Sequence, residues 1–228
     1  MSFLPALTTG AVLDEFTDAV ADCGGSVSGV FNDGTRLFAR SVLPTVDTVR
    51  RTDAFQGGVA IRGTENDVWL YPFLFRQVCT NGAILAQTLD ARHIPDLHDL
   101  DPDEAAELVR DGVAACCAPE VFGTNMDHVR TATEQQADLA LMLMPMLGRF
   151  PEAANAHVLQ QIMRTFFEDR DDTRFGLMNA VTATAREATD PDVRWRLEEL
   201  GGALAVGVPF EPRHRPPAVR FREAAQIG

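Results

Sequence analysis

Apolar positions change their spacing twice along this chain. Between residues 11 and 22 they recur at helical intervals: Val12, Phe16, Ala19 and Val20 share one face, and Asp14, Glu15, Asp18 and Asp22 cover the other. Gly24-Gly25 predicts the stop of that helix. The period then falls to two. Residues 27–32 and 35–43 flank Asp33-Gly34, a hairpin signal, with Pro44 closing the second arm and 45–51 predicting a short edge segment. Val59 and Ile61 alternate with Ala60 and Arg62, Thr64-Glu65-Asn66-Asp67 supplies a turn, and 68–78 reads as a longer strand. Pro72 inside it marks an edge position or a bulge.

At Cys79-Thr80-Asn81-Gly82 the period changes again. Ile84, Leu85 and Leu89 at helical spacing predict a helix from Thr80 or Asn81 to about Ala91. The remainder reads as helical. Asp101-Pro102-Asp103-Glu104 combines an N-cap, a first-turn proline and an acid at the third position, opening a helix over 102–117. Another is predicted over 126–148, kinked or ended by Pro145. Pro151 opens the next, with Val158, Leu159, Ile162, Met163 and Phe166 facing inward. Two more follow, over 173–188 and after Asp190-Pro191-Asp192, the last carrying Trp195, Leu197 and Leu200 and stopped by Gly201-Gly202. The expected fold is α+β: an N-terminal antiparallel sheet of two hairpins with a packed helix, followed by a C-terminal helical bundle. Residues 1–95 and 96–208 are read as one cooperative unit, and the Pro/Arg-rich tail 209–228 as extended.

Composition narrows the function classes. No apolar run approaches the roughly 20 residues of a membrane span, and the start of the chain has no basic, apolar leader pattern. The four cysteines form no C-x-x-C pair. A soluble, cytoplasmic protein without a zinc motif or disulfide framework is therefore expected. All 20 basic residues are arginines, which excludes Schiff-base chemistry on lysine and a Walker-type phosphate lysine. The net charge of −13 opposes nucleic-acid binding, but it is unevenly placed. Residues 27–92 carry 7 Arg against 6 acids, whereas 93–150 carry 3 against 11. The acidic helical half is a candidate face for a protein partner, and the sheet half a candidate anion-binding face.

On that half, Arg36 and Arg40 share a strand face with Phe38, and Arg50, Arg51, Arg62 and Arg76 complete the set. Arginines beside an aromatic ring suit single-stranded DNA, where phosphates are neutralised and bases stack; pairing with Asp47, Asp53 or Glu65 on a solvated face is the alternative. Cys79 at a strand-to-helix turn is a candidate nucleophile with His93 as base and Asn81 as orienting group; the alternative is a small residue packed at the turn. His93 and His98 lie near Asp96, Asp99 and Asp101, which act as loop and cap acids, so no metal site and no cofactor are expected. Met142, Met144 and Met146 alternate at a spacing that cannot lie on one helical face; packing in the core is expected, and contact of some of them with a partner chain is the alternative.

The segment Arg76-Gln77-Val78-Cys79-Thr80-Asn81-Gly82 resembles the phage- and plasmid-associated family known as domain of unknown function 932. The Asp33-Gly34 hairpin, the 53–67 hairpin and Asn179-Ala180-Val181-Thr182 extend the resemblance over about residues 20–205. It implies a mobile-element context and no catalytic residue. At the level of fold, hairpins followed by a helix are also similar to single-strand annealing proteins. The expected function is a non-catalytic, single-stranded DNA-binding or annealing factor of homo-oligomeric type. The alternatives are an oligomeric protein-interaction module in phage defence or plasmid maintenance, and a Cys79-dependent hydrolase.

Overall fold

The computed structural model describes residues 8–51, 53–142, 151 and 155–207. Helix α1 (Thr9–Asp22) begins where the Thr8 hydroxyl accepts the Ala11 N–H at 3.2 Å, and it ends ahead of Gly24 at φ 73°. The strands follow: β1 (Ser26–Asn32), β2 (Arg36–Val42), β3 (Val46–Thr48), β4 (Ala54–Thr64), β5 (Val68–Arg76), β6 (Asn81–Ile84) and β7 (Arg92–Ile94). They form one antiparallel sheet in the order β1-β2-β4-β5-β6, with β3 also paired to β4 and β7 to β5. The helices after the sheet are α2 (Pro102–Cys117), α3 (Pro119–Glu134), the short α4 (Leu139–Met142), α5 (Ala156–Asp169), α6 (Arg174–Glu187) and α7 (Pro191–Val206). The α+β class and both hairpins agree with the sequence reading.

Strand alternation sends two different sets of side chains to the two faces. Leu37, Ala39, Val59, Ile61, Val68 and Leu70 join Val12, Phe16 and Val20 of α1 and Val109 and Val113 of α2 in one apolar cluster. Phe38, Ala60, Tyr71, Phe73 and Ile84 point the other way, onto Trp195 of α7. At the end of the sheet Phe55 and Leu74 enter a third cluster with α3, α5 and α6. The sheet is thus covered on both faces, a layered solution that buries both of its apolar surfaces.

Four expectations are corrected. No helix spans 80–91: residues 81–84 are strand β6, paired with β5 from Phe73↔Ile84 to Arg76↔Asn81, and 85–91 is a chain of turns in which Leu89 is 85% exposed. All four β6 residues are buried, so no polar alternation betrayed the strand. The helix expected over 126–148 is α3, which starts earlier, at Pro119, and ends at Glu134; Pro145, Met144 and Met146 lie outside the described residues. Pro72 is neither at an edge nor in a bulge. It sits between the β5 segments that β6 and β7 pair with, and its carbonyl accepts the Leu85 N–H at 2.9 Å, so its missing N–H falls at the gap between those two strands. Gly201-Gly202 does not stop α7, which runs to Val206. A Cβ on Gly202 would collide with the Ile84 carbonyl oxygen, and one on Gly201 with the Thr182 methyl. The two glycines let α7 lie directly on β6 and α6.

Candidate functional site: the arginine face and the Cys79 hairpin

The sequence places Arg36, Phe38 and Arg40 on one face, and the structure agrees; what covers that face is α7. Turned inward on α7 are Asp192, Trp195, Glu198 and Glu199. Arg40, 9% exposed, donates from Nε to Glu198 Oε2 at 2.5 Å, and Arg194 reaches Glu198 Oε1 at 3.0 Å. Burial pushes the Glu198 carboxyl above its ordinary range, by more than the two guanidiniums lower it. Burial likewise lowers Arg40, against the pull of Glu198. Trp195 donates its indole N–H to Glu199 Oε1 at 2.9 Å, while Arg196 holds Glu199 Oε2 at 2.7 Å. At the start of β2, Asp192 takes Arg36 at 2.5 Å and Arg62 at 3.8 Å.

Between these ion pairs run cation–π contacts. Arg36 lies over Phe31 at 5.5 Å, Arg62 over Phe38 at 5.5 Å and over Trp69 at 5.7 Å, and Arg40 over Trp195 at 5.5 Å. The arginine–aromatic interleaving expected for a nucleic acid is present, but its partners are internal. Phe38 is 1% exposed with Trp195 at 5.4 Å, so its ring offers no surface to a base. Phe38 and Arg40 are thus buried beneath the carboxylates of α7, while Arg36 stays exposed and Arg62 partly so.

The other predicted arginines are held at the opposite end of the sheet. Arg76 donates to Asp53 Oδ1 from Nε at 3.0 Å and from Nη2 at 2.5 Å. Arg50 bonds Asp171 at 2.7 Å, and both guanidiniums lie over Phe175, at 5.5 Å and 5.0 Å. Burial pushes the Asp171 carboxyl up, but hydrogen bonds from Arg50 and Thr173 outweigh it and leave the group below its ordinary range. Arg51 is exposed and makes no ion pair among the described residues.

Arg76 to Asn81 form the turn that joins β5 to β6. The strands close at Arg76↔Asn81, leaving a four-residue loop. Thr80 has φ 51°, a left-handed conformation that costs a β-branched residue about 1–2 kcal/mol. Its neighbours over-determine it: Arg186 of α6 donates to the Cys79 carbonyl, and Arg76 Nη1 approaches Cys79 Sγ at 3.3 Å. Beneath the loop Asn81 Nδ2 donates to Thr182 Oγ1 at 2.6 Å, which joins the two motif segments across 101 residues. The carboxamide oxygens of Asn81 and Asn179 have no hydrogen-bond partner there.

This geometry does not assemble a hydrolase. Cys79 is at the start of no helix. His93 pairs with Trp69, seven residues along β5 from Arg76, which separates it from the loop by about 23 Å at 3.3 Å per residue. There His93 stacks on Trp69 at 5.0 Å and 8° and bonds Asp67 at 2.8 Å. Asn81 points into the core toward Thr182 and not to a catalytic base. Among the described residues no His, Cys, Asp and Glu group has the arrangement of a metal site, and no helix is long and apolar enough to cross a membrane.

The sequence reading missed Asp192, Glu198, Glu199, Thr182 and Arg186 as partners. One signal was available: Glu198 and Glu199 fall three and four residues after Trp195, on the inward face of α7, and acids there require cations opposite. Comparison with family models, with curated proteins and with solved structures returned no match.

Proposed function

We propose that the chain is a protein-interaction module, in the mobile-element context its motif resemblance implies, and that it engages another polypeptide by strand addition at β1. One contrast carries this reading. Arg36, Arg40, Arg50, Arg62 and Arg76 are all bound to carboxylates of the same chain, while β1 ends the strand order with its outer side unpaired among the described residues. The β1 sequence Ser-Val-Ser-Gly-Val-Phe-Asn has neither charge nor proline to protect the edge, and its bulge lies toward one end, between Val27 and Gly29. Val30 is 53% exposed within it. Main-chain pairing along such an edge supplies affinity, and the alternate side chains supply selectivity.

A salt titration against labelled single-stranded DNA tests the choice between the two macromolecules. No binding is expected even at low salt. Binding whose salt slope falls by about one for each of Arg36→Ala and Arg62→Ala would restore the annealing function.

A further inference from the structure

Resting on the reading of β1 as a strand acceptor, we infer that its occupant is a second copy of this chain, paired β1 to β1 antiparallel about a two-fold axis. A two-fold interface must be self-complementary, and charge makes this edge so. The protein carries a net charge of −13, so most encounters between copies are repulsive; β1 is a seven-residue stretch with no charge of its own. The hairpin that closes it adds little, because Asp33 and Arg36 neutralise one another at 2.8 Å.

Helix α1 adds an attraction. It runs antiparallel to β1 on one face of the sheet: Thr9 at its start bonds Asn32 at 3.0 Å, and Val20 near its end accepts the Gly25 N–H at 2.9 Å. Antiparallel pairing of two β1 strands sets the Ser26 end of one against the Asn32 end of the other. The last turn of α1, with Asp22 and no basic residue, is thereby brought toward the first turn of its counterpart, which has no acid. Negative and positive helix ends then face each other in both symmetry-related positions. With Val30 on the axis, the pairs are Val30 with Val30 and, on either side of it, Gly29 with Phe31. The exposed valines meet as a direct cross-strand pair. The bulge between Val27 and Gly29 limits the regular ladder to this segment.

The decisive experiment is sedimentation of the full chain over a wide concentration range, with hydrogen exchange read at the β1 amides. A dimer is expected, with β1 protection that rises with concentration. Val30→Glu puts like charges opposite one another and should raise the dimer dissociation constant roughly tenfold or more, while Val30→Thr should retain the dimer. Unchanged circular dichroism shows that each variant folds. A mass that stays monomeric, or a dimer indifferent to Val30→Glu, overturns the self-pairing. A synthetic peptide of residues 26–32 separates the two levels of failure. If the chain is monomeric but excess peptide protects the β1 amides, the acceptor edge stands and only the partner is wrong; if neither occurs, both fall.

Discussion

The two faces of one sheet are built by different chemistry. Toward α1 and α2, Leu37, Ala39, Ile61 and Leu70 pack as plain aliphatic side chains and ask only for apolar volume. Toward α7, one residue out of register with them, Phe38 and Arg40 alternate with Arg62 and Trp69 and ask for counter-charges at fixed positions. The first face accepts any well-fitting hydrophobic helix. The second accepts only a helix that carries carboxylates where α7 does, and so it specifies which helix covers the sheet and in what register.

The sharpest way to break the contrast is Glu198→Ala, which leaves Arg40 buried without its anion. It should cost about 3–5 kcal/mol in urea unfolding, whereas the double change Arg40→Met with Glu198→Leu should recover most of that loss. Full cost in the double variant would show that the ion pair itself holds the face together. On the apolar face Leu37→Ala should cost about 3 kcal/mol through the cavity it leaves, with no pH dependence of its own. Gly202→Ala tests the seat of α7 on β6: the added methyl meets the Ile84 backbone, and a loss of about 1–3 kcal/mol is expected.

Acidity sharpens the comparison further. Asp33, held down by Arg36 and Thr35, and Asp47, held down by Arg130 and Thr48, have folded pKa values below the ordinary carboxylate range, as does Asp171. Their contribution is complete above the unfolded value near 3.8 and is lost as pH falls through the lower folded values. Glu198 acts in the opposite sense. Its raised value means that folding gains as pH falls through the folded pKa toward the unfolded one. Stability should therefore drop below about pH 4, and Glu198→Gln should leave that acid limb in place while removing the gain that builds up above it, as pH falls from the raised folded value toward the unfolded 4.5. Thermal melts whose slope above pH 4.5 is the same with and without Glu198 would overturn its role. The smallest effect is expected at Thr80→Gly, which relieves the left-handed strain and should stabilise by about 1 kcal/mol or less.

How far these features were legible differs between the faces in the same way. Alternation placed Phe38 and Arg40 together and Leu37 and Ala39 opposite, since strand period is a local property. The partner of Arg40 lies 158 residues away and no local pattern points to it. The capping sequences at Asp101 and Asp190 were readable because their hydrogen bonds close within two or three residues. At β6 the same locality misled. Ile84, Leu85 and Leu89 mimic a helical stripe, but Ile84 and Leu85 are buried by sheet and helices together and Leu89 by nothing. Gly201-Gly202 has the composition of a helix stop, yet the two residues serve a close approach that only the tertiary structure defines.

The two tryptophans give the molecule a pair of optical reporters on the same face at different depths. Trp195 is fully buried with its indole N–H bonded to Glu199, and Trp69 is partly exposed with an imidazole stacked on its ring. A soluble quencher should reach the emission of Trp69 and spare that of Trp195. Detachment of α7 would then register as a red shift and new quenching of Trp195, so displacement of one helix can be followed in the intact chain without any label.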